Sequence, residues 1–166
     1  FMAFKVIVDA GHGGRDPGAV YNGRNEKDDT LDMAMAVGRL LQEGGLDVVY
    51  TRTSDVYDTP YEKAVIGNNS GADLFLSLHR NSTPENNTAQ GVEMLVYNDS
   101  GLPAQVARSI NQELESIGFA SRGVIERPNL VVLRRTKMPA VLVEMGFINS
   151  DSDNALFDQR FQEVAQ

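Results

Sequence analysis

Residues Lys5-Val6-Ile7-Val8-Asp9-Ala10-Gly11-His12-Gly13-Gly14 decide the fold. Val6 to Ala10 form a short apolar run halted by Gly11. A run of this length, interrupted by one acid and closed by glycine, reads as a strand buried on both faces. The glycine-rich stretch from Gly11 to Asn25 then reads as a long loop. Working outward, Leu31, Ala34, Met35, Gly38 and Leu41 recur at helical spacing, and Gly44-Gly45 close that helix. Val48 to Thr51 is a second strand. Thr59-Pro60-Tyr61-Glu62 is a capping-box start to a helix reaching about Gly71. Leu74 to Leu78 is a third buried strand that closes on His79. Gly91 to Tyr97 partly alternates and reads as a half-exposed strand. Val106, Ile110, Leu114 and Ile117 mark another amphipathic helix. Leu130 to Leu133 and Ala140 to Val143 read as further strands, and Phe157, Phe161 and Val164 mark a last helix. Strands and helices alternate along the chain, which predicts a three-layer α/β domain with a mostly parallel sheet.

Composition narrows the function. The 166 residues suit one domain, taken as 1–166. Fifteen basic and 23 acidic residues leave a net charge of −8, which argues against nucleic acid and against capture by an anionic membrane. No run approaches a membrane span, so no membrane insertion is expected. The absence of cysteine removes thiolate catalysis and every cysteine-type zinc site. Phe1-Met2-Ala3-Phe4-Lys5 is not a signal peptide, because the first strand begins at once. Any export signal is expected to lie outside this segment, in a larger exported protein.

In parallel sheets, sites form beyond the carboxyl ends of the strands. Three strands end on groups with chemistry: Asp9 and His12, then Ser77-Leu78-His79-Arg80-Asn81-Ser82, then Glu144 in Val143-Glu144-Met145-Gly146. His12 and His79 are the only two histidines. Either alone reads as an ordinary hydrogen-bonded side chain; both at equivalent strand ends point to a shared metal site. A third ligand must be Asp or Glu, and Asp16, Glu26, Asp28 and Asp29 all remain open. Glu144 sits among apolar neighbours, where a carboxylate needs a partner or a purpose. It is either an ion pair with Arg134 or Arg135, or an acid/base group beside the metal. Asp9 either orients a histidine from behind or caps the loop. Gly13 and Gly18 have phosphate-loop spacing, but Ala19-Val20 replaces the needed Lys-Ser/Thr; Asp16 stands where the dinucleotide fingerprint wants its third glycine, and no Gly-x-Ser-x-Gly elbow is present. The Asn-x-Ser/Thr triplets at Asn68, Asn81, Asn86 and Asn98 carry little weight.

The segments Ile7 to Gly14, Asn25-Glu26-Lys27-Asp28, Ser77 to Ser82 and Pro139 to Phe147, in that order, resemble the zinc-dependent N-acetylmuramoyl-L-alanine amidases of the amidase-3 type. The resemblance implies a central sheet of about six strands and one Zn²⁺ held by His12, Glu26 and His79. It also implies Glu144 as the catalytic carboxylate. It implies peptidoglycan as substrate and a place of action outside the cytoplasm, at the cell wall or secreted. Arg15, Arg80 and Asn81 are expected substrate or oxyanion contacts, and a monomer is expected. Lys63 stands where the family usually has arginine, and Gly67-Asn68 where it has Ala-Asn; both departures are read as helix packing. Arg80 replaces the small residue that usually follows the second histidine. The connection from Asn81 to Gly91 is too short for the inserted helix with which division-associated members block their zinc. A stem-peptide peptidase, a non-catalytic wall-binding module and a metal-free glycosidase are the competing readings.

Overall fold

The computed structural model describes residues 3–166; Phe1 and Met2, part of the segment read as lacking a signal peptide, lie outside them. In chain order the elements are β1 (Lys5–Ala10), β2 (Val20–Tyr21), β3 (Arg24–Asn25), α1 (Glu26–Glu43), β4 (Asp47–Tyr50), α2 (Pro60–Asn69) and β5 (Leu74–Asn81). They continue as β6 (Val92–Val96), α3 (Gly101–Ile117), β7 (Ser121–Glu126), α4 (Val131–Arg134), β8 (Ala140–Phe147), α5 (Asp151–Gln159) and α6 (Phe161–Ala165). A six-stranded sheet runs in the order β4-β1-β5-β8-β6-β7, and β2 and β3 form a separate small hairpin. All neighbours in the large sheet are parallel except β6 and β8, which are antiparallel. The expected three-layer, mostly parallel architecture is the one observed.

The apolar runs are continuous because helices cover both faces of the sheet. Successive strand side chains point to opposite sides. Val6, Val8, Leu76, Leu78, Val141 and Val143 therefore pack with Met33, Ala34, Ala107 and Leu114 of α1 and α3. Ile7, Phe75, Leu142 and Leu95 face the other way, onto Val132, Leu133 and the α2 side. Gly67 belongs to this second layer. A β-carbon there would come within 2.7 Å of the Phe75 ring, so the departure at Gly67 is one of packing, as expected. The capping box at Thr59 is formed in full, with Glu62 N–H donating to Thr59 Oγ1 and Glu62 Oε1 accepting from Thr59 N–H.

Three expectations are corrected. Leu130 to Leu133 is not a strand: Leu130 keeps an extended backbone and residues 131–134 make one helical turn. An apolar run of four cannot distinguish the two, and here Arg127 and Leu130 close a turn that redirects the chain. The strand missing from that region is β7, whose Ser121-Arg122-Gly123 start hides its pattern. β6 is not half-exposed: all five residues are buried, because β8 and β7 flank it on both sides. The last helix divides into α5 and α6 at Arg160. Among the described residues, no helix is long and apolar enough to cross a membrane.

Candidate metal centre

The carboxyl ends of β1, β5 and β8 lie side by side, and the site grows from them. Ser77 pairs with Asp9 across β1 and β5, and His79 pairs with Glu144 across β5 and β8. Side chains directly opposite on neighbouring strands share a face. Asp9, Ser77, His79 and Glu144 thus form one polar strip on the α2 side of the sheet. His12 joins it from the loop after β1, held at φ 64°, a left-handed conformation that costs a non-glycine residue about 1–2 kcal/mol. Gly11 makes the approach feasible: a β-carbon there would lie 2.4 Å from the His79 ring. The two imidazoles meet edge to face with centroids 5.1 Å apart.

Glu26, the first residue of α1, supplies the third group. Its Oε2 lies 3.1 Å from His12 Nε2 and 3.3 Å from His79 Nδ1. The carboxylate is fixed by two backbone donors, Ala19 N–H to Oε1 and Arg80 N–H to Oε2, each at 3.0 Å. Of the four acids left open by spacing, only Glu26 joins the histidines. Asp16 lies behind His12, Asp28 is exposed, and Asp29 is paired with Arg24 and Arg80.

The hydrogen bonds behind the ligands set their orientation. Ser77 Oγ donates to Asp9 Oδ2 at 2.6 Å, so only its lone pairs are left for His79 Nε2, 2.9 Å away. That makes Nε2 the protonated nitrogen and leaves Nδ1 as a lone pair facing Glu26. Asp16 Oδ2 does the same for His12, accepting from Nδ1 at 2.8 Å while its Oδ1 accepts from Gly18 N–H. Asp9 therefore acts on His79 through Ser77. Its other oxygen accepts from Thr51 Oγ1 and from Lys63 Nζ. Burial works against the Asp9 charge, but Lys63 and the hydroxyls outweigh it and hold the carboxyl below its ordinary range.

Lys63 is more than helix packing. Its ammonium is buried and bonds Asp9, the Ala10 carbonyl and the His12 carbonyl, so it ties α2 to the strained turn. Arg52 reinforces that turn through the carbonyls of Ala10 and Gly11. Neither residue was expected at the site. Ser77 carried a signal, since it is the single hydroxyl in a buried strand and lies two residues, hence one face, from His79.

The donor set fits a small divalent cation. Tetrahedral ligands at 2.0–2.1 Å from Zn²⁺ stand about 3.3 Å from one another, which is the spacing of Glu26 from each imidazole. Two nitrogens and a carboxylate oxygen converging this closely need a positive charge between them. Burial disfavours a proton on His12, yet Glu26 and Asp16 outweigh it and raise the imidazole to about 9. Glu26 is itself driven well below the carboxylate range by the two imidazoles, against the effect of burial.

Glu144 stands beside this cluster without an ion-pair partner among the described residues. The sequence alternatives Arg134 and Arg135 are both exposed on and just after α4, at the opposite end of β8. Glu144 Oε2 is buried with no hydrogen-bond partner. Burial, reinforced by Glu26 and Glu93 and opposed by His79, raises its pKa to about 7. A carboxyl poised there can both take and return a proton at neutral pH.

The expected substrate contacts divide. Arg15 is exposed on the loop beside His12, its guanidinium over the Tyr57 ring at 4.4 Å. Asn81 is half-buried at the end of β5, its Oδ1 accepting from Ser82 N–H. Arg80 is corrected. Its side chain is fully buried on the α1 side, bonded to Asp29, Asn154 and the Phe147 carbonyl, and cannot meet a substrate there.

An α/β domain with a His-Glu-His cluster able to hold a cation, and a carboxyl beside it at the strand ends, is the class that fold and site define. The chain belongs to the Amidase_3 family, described as N-acetylmuramoyl-L-alanine amidase, whose model matches residues 6–166. It is 40% identical over 153 residues to a sporulation-specific N-acetylmuramoyl-L-alanine amidase of Bacillus subtilis, covering 90% of this chain and 58% of that protein. It is 33% identical to the probable cell wall amidase LytH of Staphylococcus aureus, covering 97% of this chain and 54% of that protein. The chain thus spans a little over half the length of these relatives. Among solved structures it is similar to an N-acetylmuramoyl-L-alanine amidase of Clostridium difficile 630, with a TM-score of 0.91 and 32% identity over 98% of this chain and 91% of that one. The catalytic domain of CwlV from Bacillus (Paenibacillus) polymyxa aligns with a TM-score of 0.89, at 32% identity over 98% and 92% of the two chains.

Proposed function

We propose that this chain is the hydrolytic domain, residues 1–166, of a cell-wall amidase. It cleaves the amide between the lactyl group of N-acetylmuramic acid and the L-alanine of the stem peptide. The observation that carries the reading is the pairing of His79 with Glu144, which sets an unpartnered carboxyl beside a three-ligand cation cluster. His12 Nε2, Glu26 and His79 Nδ1 would hold one Zn²⁺, which when bound supplies Lewis acidity toward a carbonyl oxygen and acidifies water. Asp16 and Ser77 hold the imidazoles in the ligating tautomer. Glu144 takes a proton from the water that attacks the lactyl carbonyl. It delivers that proton to the alanine nitrogen as the carbon–nitrogen bond breaks, because an amide leaves poorly as an anion. The products are a glycan lactyl carboxylate and a free peptide amine. Arg15 and Asn81 flank the cleft as substrate contacts. The domain works as a monomer on peptidoglycan outside the cytoplasm.

Digestion of purified wall sacculi, with and without a chelator, tests this. New amino termini on L-alanine, lost on chelation and restored by Zn²⁺, are the expected result. Cleavage within the stem peptide would establish the peptidase instead, and tight binding without turnover a non-catalytic module.

A further inference from the structure

The strip of polar residues continues past Glu144 to the edge of the sheet. Glu93 of β6 lies directly opposite Glu144 across the antiparallel pair, and it is buried. Next to it the β6–β7 register shifts: Val92 pairs with Ser121 and Met94 with Val124, so Arg122 and Gly123 together oppose the single residue Glu93. Such a bulge bends the strand and re-aims a side chain. Gly123 accommodates it at φ 86°, open to glycine at little cost. Without the extra residue, Arg122 would share the face of Val124, toward α3. With it, Arg122 turns onto the face of Glu93 and Glu144.

The guanidinium is held there on two sides. Arg122 Nε lies 3.5 Å from Glu93 Oε2, and its Cζ lies 5.1 Å from the Phe147 ring centroid. The side chain remains 43% exposed. It opens on a polar groove of about 640 Å³ lined also by Asn87, Gln90, Ser150 and Ser152. The one carboxylate lining that groove, Asp151, is already bonded by Tyr21 and Asn87. An arginine drawn to Glu93 through Nε and lying over the Phe147 ring has its two terminal nitrogens left as a fork matched to a planar carboxylate.

We infer that Arg122 is a recognition site for a carboxylate on the peptide side of the substrate, held ready by Glu93 and the bulge. The inference rests on the amidase reading above, which places the scissile amide at Glu144. Two strand spacings, about 10 Å, separate the β8 and β7 backbones, and the arginine reaches back over β6 toward Glu144. At roughly 3.4 Å per extended residue, the carboxylate belongs to the residue after the alanine whose nitrogen is released. An ion pair that merely neutralises Glu93 would need the bulge but not an arginine left 43% exposed on an open groove.

Binding separates this inference from the amidase reading. The probes are a synthetic alanyl peptide with an acidic second residue and the same peptide with its carboxyls as carboxamides, titrated against the chain by calorimetry. The acidic peptide should bind about 10–100-fold tighter, the worth of a charged hydrogen-bonded pair. Arg122→Gln should bring the ratio near one, and Arg122→Lys, which keeps charge but loses the fork, should leave an intermediate ratio. Equal binding of both peptides to the unmodified chain overturns the inference, whatever the folding of the variants. The corresponding N-acetylmuramoyl peptides are then offered for cleavage. Arg122-dependent binding without cleavage removes the amidase reading and leaves the carboxylate site; cleavage of both at equal kcat/KM removes the site and leaves the amidase.

Discussion

Glu144 and His79 occupy one register position on adjacent parallel strands, so a half-buried acid and a metal-type imidazole are placed together by main-chain pairing alone. Replacing Glu144 by Gln keeps that geometry and removes the proton carrier. Wall-hydrolysing rate should drop roughly 10²–10⁴-fold, with one Zn²⁺ per chain still bound, as read by metal analysis. Full activity of the variant would falsify the role given to Glu144.

The same substitution should stabilise the metal-free fold. Glu144 has its pKa raised from 4.5 to about 7 by burial. Its contribution to stability is therefore complete below pH 4.5 and lost as pH rises through about 7. A shift of this size corresponds to roughly 3 kcal/mol. Urea unfolding of the chelator-treated chain should show Glu144→Gln more stable than the parent at pH 8, with the gap closing toward pH 5. A gap that stays constant with pH would mean the carboxyl is not desolvated.

Ser77 gives a test of the support behind the ligands. Ser77→Ala removes the bridge from Asp9 to His79 and should weaken Zn²⁺ binding about 10–100-fold while the fold persists. Competition with a chromophoric chelator measures this. His79→Ala should abolish binding, and stoichiometric zinc in that variant would contradict the ligand set.

Asp9 ties acid sensitivity to the same strip. Its folded pKa is depressed, so its stabilising effect holds above the unfolded value of 3.8 and fades as pH falls below it. Asp9→Asn leaves the Lys63 ammonium buried without its counter-charge, at a cost of about 3–5 kcal/mol at neutral pH. Denaturant midpoints at pH 3 and pH 7 should therefore lie closer together in the variant than in the parent, the remaining separation coming from groups such as Glu26. Equal separation in both would assign the acid sensitivity elsewhere.

Arg80 separates a structural from a substrate role. Arg80→Met should lower stability by about 1.5–3 kcal/mol, because it strips one charged hydrogen bond from buried Asp29, which keeps Arg24. A variant that melts like the parent yet has a higher KM would return Arg80 to the cleft.

The main lines of fold and site were legible where chemistry interrupts a pattern. Asp9, His79 and Glu144 each break or end an apolar run, and strand ends are where sites form. Spacing could not choose Glu26, because its place depends on the approach angle of α1. Arg80 was misread because it adjoins His79 in sequence, whereas on a strand adjacency means opposite faces. Lys63 and Arg52 were hidden because their long stems come from elements remote in sequence, and a basic residue looks the same whether it is solvated or buried. Arg122 was invisible for a different reason: its direction depends on a bulge, and one extra residue reverses a side chain without leaving a trace in composition.

The bare main chain at Gly11 carries a last implication. With the His79 ring resting where a β-carbon would sit, even a methyl group would evict the imidazole. Evolutionary or laboratory retuning of this centre toward other ions must therefore leave Gly11 untouched and work through the other residues around it.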